Sequence, residues 1–452
     1  ERYKELLERD PNDLEARLGL ARVLSWDKQL DAALEEYARV LKAQPDNHDA
    51  QIERARIYSW RGNLSSALDA YNELLARDPS DREARFGKAQ TLFWSGHTRD
   101  AKEILEDLHA KNPKDRDVTF TMASVDSALG RQDLALQQLD ELDKLQPGNP
   151  DVERSRESIR RELRPRLVLG FTPSVDSYDL KIYYSTATLY FSPTPQIRSY
   201  VATRLIPSLD SRSGLSATGR EFVFGSYGRV SEWLLLRGEG GVNSGVFGSE
   251  GAIGEGGATL FVTDRTQIDL DVSRSFINYI PLPVRRDVSR VQFRGAWDWR
   301  PERRSALHLD YYHQRYSDTN RNNGGNFTAT HKVVAREVGE IEIGYLYAVF
   351  GFTKGIDSGF FAPSQFQRHA ALLNFNAKLA PWLKFSFWGS GGKEQVFRDK
   401  FRWDGTARGS WDIKVSERFK LSLGYGYFAI SSIVRAGAYR THTGYATLEY
   451  LF

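Results

Sequence analysis

Proline recurs in the first third of the chain with a fixed spacing. Pro11, Pro45, Pro79, Pro113 and Pro147 are separated by the same interval at every step. A period of about 34 residues is typical of repeated helix pairs, in which each unit buries its apolar face by stacking on its neighbours. The spacing therefore predicts an all-α solenoid over 1–147, and no other feature of the sequence constrains the fold as strongly.

Small and large residues keep the same phase as the prolines. Small residues at fixed positions allow two helices to cross closely, because a larger side chain would push the backbones apart. The pattern is that of tetratricopeptide repeats, and it predicts four full repeats at 12–45, 46–79, 80–113 and 114–147. The repeated alanines are Ala21, Ala55, Ala89 and Ala123, then Ala33, Ala67, Ala101 and Ala135, and the large position holds Tyr3, Tyr37, Tyr71, Leu105 and Leu139.

The start of the chain matches the end of a further repeat, since Tyr3 lies one full period before Tyr37. We therefore expect the natural protein to be longer, with more repeats upstream. No basic segment followed by an apolar one opens the chain, so we expect that any signal peptide was removed or lies outside this sequence. After the repeats, we predict a linker helix over 148–164.

Tryptophan also follows the repeat period, at the end of the first helix of each repeat. Trp26, Trp60 and Trp94 occur in the segments LSW, YSW and LFW. One interpretation is that these side chains pack at the helix ends. The other is that they form a ligand-stacking stripe, because stacked helix pairs create an extended concave surface that binds partners.

The periodicity changes from about 3.6 to 2 after the segment RRELRPR. In residues 401–414, Phe401 and Trp403 share one face, whereas Arg402 and Asp404 share the other. Segments of about ten residues with an apolar, aromatic face and a charged face are typical of the strands of a membrane barrel. Sixteen such segments predict a 16-stranded antiparallel transmembrane β-barrel over 165–452.

The connections between these segments alternate in length. Short ones such as TDRT, RPERR and VSER alternate with longer ones such as INYIPLPVRRDV, as the periplasmic turns and outer loops of outer-membrane barrels do. The helical array enters the first strand on the side of the short turns, so the repeats are predicted to be periplasmic. The last strand, YATLEYLF, has Leu448, Tyr450 and Phe452 on one face, which resembles the C-terminal signature of bacterial outer-membrane proteins.

Charge divides the chain at the same place. Residues 165–452 carry 35 Lys or Arg and 26 Asp or Glu, a balance of +9, whereas residues 1–164 carry 27 and 33, a balance of −6. The absence of cysteine excludes disulfides and thiolate metal sites. No run of about 18 apolar residues predicts a membrane-spanning helix.

Periplasmic tetratricopeptide repeats joined to a sixteen-stranded barrel resemble the exopolysaccharide export porins, typified by the porin of cellulose-synthase systems and the poly-N-acetylglucosamine porin. The segments LSW and YSW, followed by DKQLDAAL and GNLSSAL, are similar to repeats of that class. The resemblance implies a barrel that conducts the nascent glycan and repeats that bind periplasmic partners, the glycan or peptidoglycan.

A second segment, SGFFAPSQFQRH at 358–369, is similar to a loop of the cellulose-type barrels, although Ser364 interrupts the pattern before Gln365. One interpretation is an ordinary loop that folds back and fills part of the interior. The other is a direct role in gating or glycan contact. The candidate gate residues are Gly359, Phe360, Phe361, Pro363 and Gln365, next to Ala362.

Strand parity predicts which charged residues face the interior. They would keep the interior wet and offer sugar hydroxyls many weak, replaceable hydrogen bonds, or they would pair across strands and hold the shape of the barrel. The basic candidates are Arg198, Arg204, Arg237, Arg290, Arg294, Lys332, Arg336, Lys384, Arg402, Arg408 and Lys420, and the acidic ones are Glu221, Glu239, Asp269, Asp271, Asp298, Asp310, Glu340, Glu342, Asp404, Asp412 and Glu449.

Signals of catalysis are weak. The histidines form no HExxH or other metal-binding spacing, and no phosphate-binding glycine loop with its lysine is present. The glycine-rich tract 238–257 is expected to be an outer loop with strand ends. The carboxylate pairs Asp269 with Asp271 and Glu340 with Glu342 suit a charged interior better than a glycosidase. We predict no enzyme activity, cofactor or metal, and no aromatic-basic platform indicates nucleic acid.

Together, these features predict an outer-membrane channel that exports a cellulose-like or related exopolysaccharide. The expected partners are the polysaccharide, outer-membrane lipid, and periplasmic or inner-membrane synthase components that dock on the repeats. The first alternative is a barrel that assists surface proteins or lipoproteins, which would have about fourteen strands. The second is a closed structural or receptor barrel.

Overall fold

The computed structural model describes residues 1–245, 250–277, 280–354, 362–433 and 437–452. The chain forms two compact units, Glu1–Ile159 and Arg160–Phe452. The first is helical and the second is a β-barrel. None of the helices in the described ranges is long and apolar enough to cross a membrane.

The helical unit contains the predicted pairs of antiparallel helices. The pairs α2–α3, α4–α5, α6–α7 and α8–α9 follow the proline period, and this part of the fold prediction is confirmed. The helices are α1 (Arg2–Arg9), α2 (Leu14–Trp26), α3 (Leu30–Ala43), α4 (His48–Trp60), α5 (Leu64–Arg77), α6 (Arg82–Ser95), α7 (Thr98–Lys111), α8 (Arg116–Ala128), α9 (Gln132–Leu145) and α10 (Pro150–Leu163).

Residues that recur with the repeat period mark where these helices begin and end. The side chains of Asp13, Asn47, Asp81 and Asp115 each accept a hydrogen bond from a backbone N–H in the first turn of the helix that follows. Such a cap stabilises a helix by about 1 kcal/mol. The second helix of each pair ends before the repeated proline, since the residue before proline is disfavoured in helical conformation.

The repeated alanines lie in the core of the helical unit. Ala21, Ala55, Ala67 and Ala101 are completely buried, as their predicted role at close helix crossings requires. Bulky side chains fill the spaces between the pairs, and the large repeated positions are buried at Tyr37, Tyr71, Leu105 and Leu139. Gly87 makes room for Tyr71, because a Cβ on Gly87 would lie 2.4 Å from the tyrosine ring.

Helix α10 continues the stack after the last repeat, in the segment predicted to be a linker helix. Its Val152, Arg156 and Ile159 are buried. The Arg156 guanidinium donates a hydrogen bond of 3.3 Å to the Leu139 carbonyl and lies 3.1 Å from the Asp140 carboxylate. Helix α9 is therefore covered by an additional helix.

Enlarging a repeated alanine tests the packing of this unit. The substitution Ala101→Leu is expected to destabilise the helical unit by about 1–3 kcal/mol, because additional methylene groups have no space at a fully buried position. Thermal melting of the full chain, followed by the helical circular-dichroism signal, measures the effect. The control Ala110→Leu, at an exposed position of the same helix, should change little; equal losses in both variants would contradict the packing.

Successive repeats are also linked by side chains at their edges. The His48 imidazole lies 2.6 Å from the Asp81 carboxylate, and Arg82, one repeat later, pairs with Asp115 at 2.7 Å. The hydrogen bond to Asp81 raises the pKa of His48 above its ordinary value of 6.5. A raised pKa in the folded state means that protonation of His48 stabilises the fold.

This linkage has a defined pH dependence. The contribution of His48 is complete below pH 6.5 and is lost as the pH rises through the higher pKa of the folded state. The substitution His48→Gln should therefore lower the melting temperature of the helical signal more at about pH 5.5 than at about pH 8.5. The substitution Asp81→Asn keeps the helix cap but removes the charged partner of His48, so it should abolish the same pH-dependent contribution to stability. A loss of melting temperature in the His48→Gln variant that is the same at both pH values would contradict the account.

The second unit is a closed antiparallel barrel of sixteen strands in sequence order, with β1 paired to β16. The predicted fold class is confirmed. The strands are β1 (Arg166–Asp176), β2 (Leu180–Thr194), β3 (Ile197–Asp210), β4 (Leu215–Ser231), β5 (Leu234–Ser244), β6 (Glu250–Thr263), β7 (Thr266–Phe276), β8 (Ser289–Glu302), β9 (Ser305–Tyr316), β10 (Arg321–Arg336), β11 (Gly339–Phe352), β12 (Phe366–Ala380), β13 (Leu383–Val396), β14 (Arg402–Lys414), β15 (Phe419–Ile433) and β16 (Gly437–Leu451).

Alternation along the strands separates an outer from an inner face. On β4, Phe222 and Phe224 are 56% and 51% exposed, whereas Val223 between them is fully buried. Exposed Leu, Val, Phe, Tyr and Trp side chains recur at alternate positions on the other strands. Successive side chains of a strand point to opposite faces, so the apolar set covers the outside of the barrel and the other set faces the interior.

The connections differ between the two ends of the barrel. We call the end at which β1 begins and β16 ends the proximal end, and the opposite one the distal end. Most proximal turns have two residues, whereas the connections 277–288 and 353–365 at the distal end are long, as the sequence predicted. The tract 238–257 contains the end of β5, which continues to Ser244, and the start of β6 at Glu250, with the distal connection between them. This agrees with the expected loop with strand ends, although strand occupies most of the tract.

Candidate functional site: the polar interior of the barrel

The inner face carries charged and polar side chains along the whole sheet. Directly paired residues of an antiparallel sheet share a face, and pairs such as Arg204 with Glu221 and Asp271 with Arg294 follow this face around the barrel. The strand registers place the predicted interior residues on it, with one exception described next.

Arg336 is that exception. A β-bulge between Lys332 and Val334 shifts the register by one residue, so that Ala335 rather than Arg336 shares a face with Glu340. A one-residue shift moves every following side chain to the other face of the strand. The prediction that Arg336 faces the interior with Lys332 was therefore wrong.

Ion pairs across strands organise the wall formed by β3, β4 and β5. The Arg204 guanidinium lies 3.0 Å from the Glu221 carboxylate and 3.0 Å from the Glu239 carboxylate. The Tyr200 hydroxyl donates a hydrogen bond of 2.6 Å to Glu239. The Tyr200 ring covers Gly225, where a Cβ would lie 2.3 Å from it. Sequence parity predicted the charges but missed Tyr200.

A second cluster spans β5 to β8. Arg237 pairs with Asp271, lies 3.5 Å from Asp269, and donates a hydrogen bond of 2.9 Å to the Thr259 hydroxyl. Arg294 lies 3.5 Å from the other oxygen of Asp271. Asp269 and Asp271 are thus held beside arginines, as suits a charged wall and not an acid–base pair.

Further clusters continue around the interior. His308 Nδ1 lies 2.8 Å from Asp298, and Lys332 lies 2.9 Å from Glu340. The Asn374 amide donates a hydrogen bond of 2.7 Å to Glu342. Within the described residues, no group of three or more His, Asp or Glu side chains is arranged to hold a metal ion.

Arg368 is an interior residue that the sequence did not single out. It pairs with the buried Asp404 carboxylate and donates a hydrogen bond of 2.8 Å to the Ser390 hydroxyl. It lies near the start of β12 and shares parity with Asn374 further along that strand. Parity over the rest of the strand would have indicated it, although the pairing with Asp404 requires the strand register.

Tyrosines line a recess in the same wall. A cavity of about 410 Å³ lies among strands β1 to β6, with Tyr190, Tyr200 and Tyr227 beside Arg204 and Glu239. The rings of Tyr190 and Tyr200 have their centroids 5.5 Å apart. Aromatic rings next to charged hydrogen-bonding groups can bind a ligand that has both apolar faces and hydroxyl groups.

The distal mouth is narrowed by a segment that folds inward. The β7–β8 connection contains the short helix α11 (Pro281–Arg285), whose main contacts are with β4 and β3. Phe276, just before it, packs on the interior residues Ala202, Val223 and Ile253. Val284 of α11 is completely buried. Together these contacts place α11 across part of the interior.

The β11–β12 connection packs against the residues that flank α11. Ala362 is completely buried in a cluster with Ile277, Val288, Tyr316 and Phe352, and the Pro363 carbonyl accepts a hydrogen bond of 2.9 Å from the Phe352 N–H. Gln365 is exposed, and its backbone carbonyl accepts a hydrogen bond of 2.6 Å from the Phe397 N–H. The other candidate gate residues, Gly359, Phe360 and Phe361, lie outside the described residues.

The three periodic tryptophans of the repeats are exposed to solvent. The exposed fractions are 75% for Trp26, 44% for Trp60 and 40% for Trp94. Packing against neighbouring helices therefore leaves much of each ring uncovered. The ligand-stacking interpretation stays a prediction.

A family model matches part of the helical unit of this chain. A family model described as tetratricopeptide repeat matches residues 1–57, 27–91 and 61–119. These matches lie within the helical unit and together cover residues 1–119. No curated protein matches this chain.

Among solved structures, a "Bacterial polysaccharide outer membrane secretin" matches with a TM-score of 0.56 and 10% identity, over 64% of this chain and 99% of that chain. At this identity the likeness shows the fold alone. The architecture implied by the resemblance to the export porins, repeats followed by a sixteen-stranded barrel, is thus confirmed.

Two further structures match with TM-scores below 0.5, which do not establish a shared fold. CdiB from Acinetobacter baumannii has a TM-score of 0.41 and 12% identity, over 64% of this chain and 60% of that chain. A thermophilic tetratricopeptide protein from Thermus thermophilus has a TM-score of 0.32 and 19% identity, over 34% of this chain and 86% of that chain.

Removing α11 tests whether the inward segment restricts the interior. Replacing residues 280–286 with a glycine-serine segment of equal length should increase the single-channel conductance of the full chain in a planar bilayer, because Val284 and its neighbours no longer occupy the mouth. A glycine-serine replacement of the connection 397–401 is the control and should leave the conductance unchanged. Equal conductance of both variants and the unaltered chain would show that α11 does not restrict the opening.

Proposed function

We propose that this chain is an outer-membrane channel that exports a secreted polysaccharide, and that its repeats are a docking scaffold for the synthesis and export machinery. The observation that carries the proposal is a closed barrel whose inner face carries charged and polar side chains around the sheet, in a chain that also has an array of repeats. The barrel of similar fold whose title names a polysaccharide secretin supports this choice of cargo.

The interior suits the passage of a flexible, hydroxyl-rich polymer. Conduction requires contacts that are favourable enough for entry but weak and numerous enough for release. The clusters around Arg204, Arg237 and His308 offer many donors and acceptors that are already paired with one another. A sugar hydroxyl therefore exchanges one weak partner for another as it moves. The tyrosine recess adds surfaces on which sugar rings can stack.

The proximal end is assigned to the periplasm in this proposal. Outer-membrane barrels have short periplasmic turns and longer outer loops, and the two-residue turns lie at the end where β1 begins. The repeats that precede β1 would then be periplasmic and would meet synthase components. The exposed tryptophans Trp26, Trp60 and Trp94 are candidate contacts for the glycan or a partner. The finer assignment to cellulose or a related exopolysaccharide rests on the sequence resemblance.

The structure favours export of a polysaccharide over the two alternative roles, protein handling and a closed structural or receptor barrel. A barrel that assists surface proteins or lipoproteins was expected to have about fourteen strands, whereas this barrel has sixteen. A closed structural or receptor barrel is the second candidate, because α11 and Ala362 narrow the distal mouth. In the export proposal, α11 and the connection with Pro363 and Gln365 act as a gate that opens for the polymer.

Deletion of the gene tests the export function directly. The sugar composition of the culture medium and of the periplasm is compared between the deletion strain and the parent. We expect one polymer to disappear from the medium and to accumulate in the periplasm, and its composition would identify the cargo. Unchanged sugars in both fractions, together with an altered set of surface proteins, would contradict glycan export in favour of the protein-handling rival.

A further inference from the structure

Lysines face one another directly at the proximal end of the barrel. Lys378 of β12 is paired with Lys384 of β13, and Lys414 of β14 is paired with Lys420 of β15. Like charges in directly opposite positions destabilise a sheet. Two such pairs on consecutive hairpins are therefore an arrangement that folding alone does not favour.

Two arginines extend this charged region along the proximal end. Arg166 opens β1 and Arg198 lies at the start of β3, both on the inner face. Arg166, Arg198, Lys378, Lys384, Lys414 and Lys420 together form what we call the proximal basic arc. A cavity of about 490 Å³ at this end is lined by four of these residues.

Carboxylates at the same end neutralise only part of the arc. Glu417 lies 2.5 Å from Lys414, and Glu449 lies 4.0 Å from Lys420. Glu162 also lines the cavity. Asp412, the register partner of Lys384, accepts a hydrogen bond from Ser422.

Several cationic groups of the arc remain available. Among the residues that the structure describes, neither Lys378 nor Lys384 has a carboxylate within 4.0 Å. Arg198 Nη1 and Arg166 Nε are buried without a hydrogen-bond partner. Elsewhere on the inner face, arginines such as Arg204 and Arg237 are matched by two or more carboxylates. Arg290, which is hydrogen-bonded to Ser275, and Arg408, which lies over the Tyr445 ring, also form no ion pair among the described residues. The arc therefore differs from the rest of the interior in gathering six cationic side chains at one end.

We propose that the proximal basic arc is an entry site for the negatively charged groups of an acidic, carboxylate-bearing polysaccharide. This inference rests on the proposed export function and specifies its cargo class. The arc is on the inner face, where lipid head groups do not reach, so an anion there would belong to the molecule passing through. Arginine binds carboxylates through two parallel hydrogen bonds, and lysines add non-directional attraction.

The location at one mouth explains how the arc would act. A cationic entrance raises the local concentration of an anionic polymer and speeds its capture. The charge-paired interior beyond the arc holds the polymer less tightly, so the chain is not trapped. Because salt screens charges over about 10 Å at 0.1 M, capture is expected to weaken as the ionic strength rises.

Binding of defined oligosaccharides to the full chain in detergent tests the proposal. Oligogalacturonate is the acidic probe, a cello-oligosaccharide of equal length is the neutral one, and inorganic phosphate tests whether any small anion suffices. We expect calorimetry at low salt to detect binding of oligogalacturonate alone. The variants Lys378→Gln with Lys384→Gln, and Lys414→Gln with Lys420→Gln, should each weaken it by about tenfold.

A matched control removes two lysines elsewhere. Lys181 is on the outer face of β2 and Lys400 is in a distal connection, so the variant Lys181→Gln with Lys400→Gln should bind oligogalacturonate as the unaltered chain does. Equal binding of the neutral probe, full competition by inorganic phosphate, absence of oligogalacturonate binding, or unchanged affinity in both arc variants would overturn the proposal.

Stability provides a second measurement that does not depend on a ligand. Removing Lys378 and Lys384, which form no ion pair among the described residues, relieves repulsion, so this variant should melt at a higher temperature than the unaltered chain at low salt and at the same temperature at high salt. The variant at Lys414 and Lys420 also loses the contacts with Glu417 and Glu449 and is left out of this measurement. A loss of stability at low salt would contradict the repulsion. If the gene deletion removes a neutral polymer from the medium, the export function stands and the inference about the arc fails.

Discussion

The pairing of β1 with β16 is the interaction on which the barrel depends. In the hydrocarbon part of a membrane every backbone N–H and C=O needs a partner within the protein, and a closed sheet provides one for each strand. The register runs from Arg166 opposite Leu451 to Asp176 opposite Thr441. Once the sheet is closed, alternate side chains must point outward or inward. The exposed phenylalanines of β4 and the charged residues of the interior are two results of this one constraint.

Closure also determines where charges can be placed. An ionised group on the outer face would meet lipid, whereas the inner face can hold charges in pairs. Arg204 with its two glutamates and Arg237 with its two aspartates show this pairing on neighbouring strands. At the proximal mouth, the proximal basic arc lacks this complete pairing of charges. At the distal mouth, helix α11 lies across part of the interior. The two ends of the interior therefore differ in charge and in the presence of an inserted helix.

The helical unit depends on a different constraint, the close crossing of helices at alanines that recur once per repeat. The same period supplies the helix caps, the cross-repeat contact of His48 with Asp81, and a row of exposed tryptophans. Each repeat buries its alanines against the next, so the surface that remains is itself periodic. Such a surface is suited to an extended partner, and it is the reason for assigning a docking role to this unit.

Much of this architecture could be predicted from local sequence patterns, because backbone geometry sets the helix period of about 3.6 residues and the strand period of 2. Strand parity predicted the interior charges from Arg198 to Glu449, and it failed at Arg336, where a single bulge reverses the faces. Helix α11 was missed because five residues with two prolines carry no helical periodicity. The partners of Arg368 and the facing lysines depend on the register between strands, which parity within one strand does not contain.

A photo-cross-linking experiment in cells tests the central claim most directly. A photoreactive phenylalanine analogue replaces Tyr227, which lines the interior recess, or Phe224, which is exposed on the outer face of the same strand. The account predicts that illumination of exporting cells attaches polysaccharide to the chain at position 227 and not at position 224. Absence of sugar at position 227, or equal attachment at both positions, would contradict passage of the polymer through the barrel.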